Sequence, residues 1–257
     1  RRQRQMCIRD SSCTNEVDEF IGNVEPSTRS VSTALNANLA SLFTGGAPTL
    51  TSAEIKEVND AYAKMTSINC YRNIDEAVRN KTSYAGTIFL DDTYASAYFR
   101  KGSLAFPPYG ILASSMEHEF IHMYQRDVQG KKVDTDKEKR DTGMMEFELA
   151  FYQGIIRYIH AGYSWTFKGE DGDPSYQSLW TSGLTDPSLI PQYEREFQTY
   201  VASICANGKP TSIDINEFVK WSNIFGEYSR GYSGKGYKFG NYDYGTSCIN
   251  SLLKLYY

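Results

Sequence analysis

His118, Glu119 and His122 form an HExxH segment whose residue types and spacing suit one chemistry, the holding of a metal ion that activates water. On an α-helix, residues four apart lie one turn above each other, so both imidazoles can reach a single ion from one face. Glu119 projects about 100° from His118, where a carboxylate meets a water at the ion instead of the ion itself. Neutral imidazoles leave the charge of Zn2+ uncancelled. The ion lowers the pKa of its water towards ~7, and Glu119, as general base, takes the proton while that water attacks a carbonyl carbon. The chain has only 3 His. With 16 Glu in 257 residues, chance gives about 0.002 such segments, so the spacing is informative and a reading of both histidines as ordinary surface or core residues is the weaker one.

Catalytic zinc normally takes three protein ligands plus water, so a third must come from elsewhere in the chain. The run Glu146-Phe147-Glu148-Leu149-Ala150 offers two carboxylates on the next helix. Residues two apart on a helix diverge by ~200°, so only one of Glu146 and Glu148 faces the ion. The apolar stripe of Phe147, Phe151 and Ile155 does not by itself choose between them. His160 stands about four turns, ~21 Å, along that helix from Glu146 and reads as a structural histidine.

With this second acidic segment, residues 111–153 resemble the zincin metallopeptidases, and more narrowly the gluzincins, in which HExxH is followed by a glutamate ligand on a downstream helix. The resemblance implies a zincin-like domain, Zn2+ as cofactor, hydrolysis of peptide bonds in a peptide or protein substrate, and His118, His122 and one glutamate as ligands. In families with an ExxA-type second motif the ligand stands three residues before the small residue. Setting Leu149 in that place selects Glu146, with Glu148 in reserve; setting Ala150 there puts Phe147 at the ligand position, which cannot bind metal. The metzincin extension is lacking, since Gln125 and Val128 stand where its glycine and third histidine would be. The style of His122-Met123-Tyr124-Gln125 and Phe151-Tyr152-Gln153 is similar to that of uncharacterised secreted zincin-like proteins of gut bacteria.

The elements that must position these groups are legible in part. Thr51-Ser52-Ala53-Glu54 is a capping box, and Ile55, Val58, Tyr62 and Met65 follow at helical spacing. A short helix is expected over 74–78. Residues 86–90 and 95–99 read as strands, which a hairpin or a small sheet edge fits. After Pro107-Pro108-Tyr109-Gly110, the spacing of Ile111, Leu112, Met116, Phe120, Ile121 and Met123 predicts the HExxH helix to about Asp127. A charged connection over 129–141 leads to a helix starting near Thr142 or Gly143. Asp134-Thr135-Asp136-Lys137-Glu138 within it starts like a calcium loop, but Lys139 and Met145 stand where that loop needs glycine and glutamate, so it reads as solvated charge. A surface loop is expected over 165–187 and helices over 191–206, 214–228 and 247–255, the second capped by Asp214 or Asn216. The Gly- and Tyr-rich stretch 228–245 reads as a surface loop that can also line a cleft.

The chain of 257 residues, 40% hydrophobic and 23% charged, has a mean hydropathy of −0.50 and is long enough to bury a core. Its net charge of −4 supplies no basic field, so nucleic acid is a poor partner, and no apolar run reaches the roughly 18 residues of a spanning helix. Five Cys at 7, 13, 70, 205 and 248 form no CxxC pair; they read as ordinary cysteines, although Cys7 and Cys13 can close a small loop in an oxidising compartment. The absence of an initiating Met suggests a removed leader, and 20 Tyr with abundant Asn, Ser and Gly suggests a secreted or cell-envelope protein. The expectation is an N-terminal arm over 1–16 and one α+β, mostly helical domain over 17–257, with a small mixed sheet around Thr87 to Phe99 packed on the HExxH helix. The alternative to a metallopeptidase is a zinc-binding pseudo-enzyme or extracellular binding module using a Tyr-rich surface, against which the intact Glu119 argues.

Overall fold

A computed structural model describes residues 34–131, 139–160, 187–208, 210, 212–228 and 247–255. The arm over 1–16, the calcium-loop-like residues 134–138, the loop over 165–186 and the Gly/Tyr stretch over 229–245 lie outside the described residues, as does the side chain of His160. Among the described residues the protein is mostly helical with one small mixed sheet, in the order α1 (Ala37–Leu42), α2 (Ser52–Ser67), α3 (Asn69–Lys81), β1 (Ile88–Leu90), β2 (Tyr98–Arg100), β3 (Ser103–Phe106), α4 (Ala113–Met123), α5 (Lys139–His160), α6 (Ile190–Ile204), α7 (Ile215–Tyr228) and α8 (Ser247–Lys254). None of these helices is long and apolar enough to cross a membrane.

α2 starts as its capping box dictates: the Glu54 backbone N–H donates to Thr51 Oγ1 at 3.3 Å, and the Thr51 backbone N–H donates to the Glu54 carboxylate at 2.6 Å. α3 is longer than the expected 74–78, because Cys70 and Tyr71 extend its buried face one turn earlier. The Tyr62 hydroxyl donates to Asp75 Oδ2 at 2.7 Å and the Arg79 guanidinium donates to the same oxygen at 2.9 Å, so one oxygen of the buried carboxylate joins α2 to α3. α2 and α3 together form the bed on which α4 lies.

The sheet differs from a hairpin of the two expected strands. Its order is β1-β3-β2, with β3 parallel to β1 and antiparallel to β2. The hairpin is β2–β3, closed by Lys101 and Gly102 at φ 51° and 79°, the two positive values that a two-residue turn needs to match strand twist. β3 then inserts between its partners because its buried Leu104, Ala105 and Phe106 fit the middle of a sheet and the half-exposed β2 does not. Gly86 is required where the turn folds back, since a Cβ there would lie 2.2 Å from the Gly102 carbonyl oxygen.

α5 begins at Lys139, earlier than Thr142, and forms the central post. Phe147 packs against Phe218 and Phe225 of α7 at ring-centroid distances of 5.1 and 5.6 Å, and Phe151 packs against Phe197 of α6 at 5.4 Å. Each such fully buried ring contributes on the order of 2 kcal/mol, and together they fix how α5 is rolled about its axis. α7 is capped by Asp214, whose Oδ1 accepts from the backbone N–H groups of Asn216 and Glu217 at 2.9 and 3.2 Å. Cys70 and Cys205 are buried free thiols.

Candidate metal centre

α4 buries Met116, Phe120, Ile121 and Met123 against its neighbours, which leaves His118 and His122 stacked one turn apart on a face turned towards α5. Their Nε2 atoms are 3.0 Å apart. The roll of α5 imposed by Phe147 and Phe151 brings Glu146 between them, with Oε1 at 3.3 Å from His122 Nε2 and Oε2 at 3.8 Å from His118 Nε2. One ligand atom from each of the three residues falls within 4.8 Å of the others. A tetrahedral ion with ligand bonds of 2.0–2.1 Å needs ligand–ligand edges of about 3.3 Å, so two imidazole nitrogens and a carboxylate at these separations fit a small divalent cation.

The electrostatics follow from burial and crowding. At His122 burial opposes a positive charge, but the Glu146 carboxylate outweighs it and raises the pKa. At His118 burial and the neighbouring His122 act in the same direction and hold the pKa down. The metal-free site therefore keeps its proton on His122, and His118 presents a bare nitrogen. Glu119 is only 5% exposed. Burial pushes its carboxyl up to about 7; His122 pulls against that shift, Glu146 reinforces it, and the Phe99 backbone N–H also opposes it. A carboxyl held near neutrality is suited to taking and returning a proton at physiological pH.

Two supporting residues escaped the sequence reading. Immediately after α4 the chain widens into a π-helical turn over Tyr124–Val128, where Gln125 Oε1 lies 2.9 Å from His122 Nδ1. Gln125 Nε2 donates to Glu148 Oε2 at 2.7 Å, and Lys131 forms an ion pair with that same oxygen. The i,i+3 spacing of His122 and Gln125 is a signal that was available; Lys131, which leaves the charged stretch to be buried, gave none. Arg126 stacks on the ring of Phe99 at 4.3 Å and forks onto Asp127, which also accepts from the Tyr84 hydroxyl, so the π-helical turn grips β2 and sets the sheet beside Glu119.

Of the expected ligands, His118, His122 and Glu146 come together, and Glu119 stands beside them. Glu148, the reserve candidate, does not join the cluster: the ~200° that separates it from Glu146 turns its carboxylate to Gln125 and Lys131. Comparisons with protein-family models, curated proteins and solved structures find no match to this chain.

Proposed function

We propose that this protein is a zinc-dependent metallopeptidase of gluzincin type, with His118, His122 and Glu146 as ligands and Glu119 as general base. The observation that carries the reading is the arrival of Glu146, from a separate helix, at 3.3 and 3.8 Å from the two imidazoles of the HExxH segment. The donor set favours zinc among the divalent ions, because imidazole with one carboxylate suits its four-coordinate sites. When bound, zinc supplies a Lewis acid that polarises a substrate carbonyl and makes a water acidic near neutral pH. The chain's own groups do the rest: the Nε2 atoms and the carboxylate hold the charge in place, while Glu119 accepts the proton of the attacking water and returns it to the leaving amine. The substrate is a peptide or protein, and the Tyr-, Asn-, Ser- and Gly-rich composition supports placing the enzyme outside the cell or in its envelope.

The test is metal analysis of purified protein together with cleavage of a mixed peptide library. One equivalent of zinc, cleavage abolished by chelation, and a Glu119→Gln variant that keeps zinc but loses cleavage are the expected results. Absence of zinc from both the purified and the zinc-supplemented protein overturns the metal assignment; undiminished cleavage by Glu119→Gln overturns the mechanism.

A further inference from the structure

We propose that Gln125 is the positioning residue of the metal centre: it donates to Glu148, which Lys131 holds by donating to the same carboxylate, and so fixes both the orientation and the tautomer of His122. The inference rests on the metal-binding reading above and deepens it.

Donor and acceptor identities decide the direction of every link. The Lys131 ammonium can only donate, and the Glu148 carboxylate beside it accepts. Gln125 Nε2 sits 2.7 Å from Glu148 Oε2 and 3.0 Å from the Met145 carbonyl oxygen. Both are acceptors, so the amide cannot turn over: its oxygen would then face two oxygens. Gln125 Oε1 must therefore point at His122, where it lies 2.9 Å from Nδ1, and because it only accepts, Nδ1 must carry a hydrogen. In a neutral ring that leaves the lone pair on Nε2, the atom aimed at His118 and Glu146. An unsupported imidazole can place its proton on either nitrogen.

Burial makes the chain rigid. Gln125 and Glu148 are fully enclosed and Lys131 is 1% exposed, so no bulk solvent competes for these groups. The links also join three pieces of backbone: the π-helical turn, the strand of chain that follows it and α5. The Lys131 backbone N–H donates to the Gln125 carbonyl at 3.0 Å, which closes the first two together. The same contacts that orient His122 thus hold α5 where Glu146 meets it, and the acidic residue not used as a ligand acquires a role. The π-helical widening lies at the point where Gln125 is aimed, a use to which such turns are often put.

The experiment measures zinc affinity by chelator competition for wild type, Gln125→Leu, Gln125→Glu and the double variant Lys131→Met with Glu148→Leu, with a urea melt of each in EDTA to confirm folding. Gln125→Leu removes the link to His122 while the Lys131–Glu148 pair stays, and zinc binding is expected to weaken about 10- to 100-fold. Gln125→Glu alone sets two carboxylates against each other and is expected to bind zinc no better. The double variant removes the carboxylate that anchors the Gln125 amide and leaves it only the Met145 carbonyl oxygen, and is expected to weaken zinc binding about 10-fold. A slowly exchanging Nδ1–H proton on His122 in the nuclear magnetic resonance spectrum of the zinc-loaded wild type, lost in Gln125→Leu, is the signature a merely structural residue would not give. Wild-type zinc binding with Gln125→Leu unchanged overturns this inference alone. Wild-type protein that takes no zinc overturns the metal reading and this inference with it. Should Gln125→Leu fail to melt cooperatively, the double variant decides: folded, and binding zinc as tightly as wild type, it refutes the role of the Glu148 anchor.

Discussion

Lys131→Met should destabilise the metal-free protein severely, and a second substitution, Glu148→Leu, should restore most of what is lost. The side chains of Lys131 and Glu148 are 0% and 1% exposed, so removing one partner strands a charge in the interior. Breaking a buried pair in this way costs roughly 3 to 5 kcal/mol. For a chain of about this size each kcal/mol moves the midpoint by about 2 to 4 °C, which makes the expected drop about 6 to 20 °C. Removing both charges is different, because apolar replacements of a buried pair are commonly neutral or stabilising. Gln125 Nε2 would still have the Met145 carbonyl as acceptor. The double variant should therefore melt within a few degrees of wild type while binding zinc more weakly, since Gln125 is no longer anchored by Glu148. Urea unfolding in EDTA, followed by tryptophan fluorescence for all four members of the cycle, gives the stabilities; chelator competition gives the affinities. A Lys131→Met variant within about 1 kcal/mol of wild type, or a double variant as unstable as the sum of the singles, would refute the reasoning that these charges are paired and desolvated.

Glu146→Ala and Glu148→Ala should separate cleanly in zinc competition: the first loses a ligand and with it most of the affinity, whereas the second weakens binding by about 10- to 100-fold through Gln125; the reverse order would exchange their roles. Glu119 has its carboxyl raised by burial from 4.5 to about 7, so its contribution to the stability of the zinc-free protein is full below about pH 4.5 and is lost as pH rises through 7, a change on the order of 3 kcal/mol. Urea melts of wild type and Glu119→Gln at pH 4.5 and pH 8 should show the variant gaining relative stability at the higher pH, and equal pH dependence in the two would contradict the burial of that carboxyl. Gly86→Ala should lower stability by about 2 kcal/mol or more, because its methyl group would meet the Gly102 carbonyl oxygen at 2.2 Å; thermal melts check this, and an unchanged midpoint would mean that the β2–β3 turn packs differently.

The amino-acid sequence by itself determined what is local. Two histidines four apart share a helix face wherever that helix is placed, so His118 and His122, with Glu119 between them, were legible as a candidate metal-binding segment. The Thr51 cap, the apolar period of α2 and the Asp214 cap were legible for the same reason, since each depends on neighbours within a turn. What lay beyond the sequence depends on contacts between distant segments. The parallel pairing of β1 with β3 was hidden because a strand of four residues carries little pattern, and the expected hairpin joined 86–90 to 95–99 instead of turning at Lys101 and Gly102. The choice of Glu146 over Glu148 depends on the roll of α5, which the packing of Phe147 and Phe151 against Phe218, Phe225 and Phe197 decides. Lys131 belongs to a charged stretch and looks solvated in sequence; only the fold supplies the buried carboxylate that draws it inward. Local spacing therefore named a candidate chemistry, and tertiary packing chose which glutamate meets the two histidines and which residues hold it there, because a helix rotation of two residues, about 200°, exchanges Glu146 for Glu148.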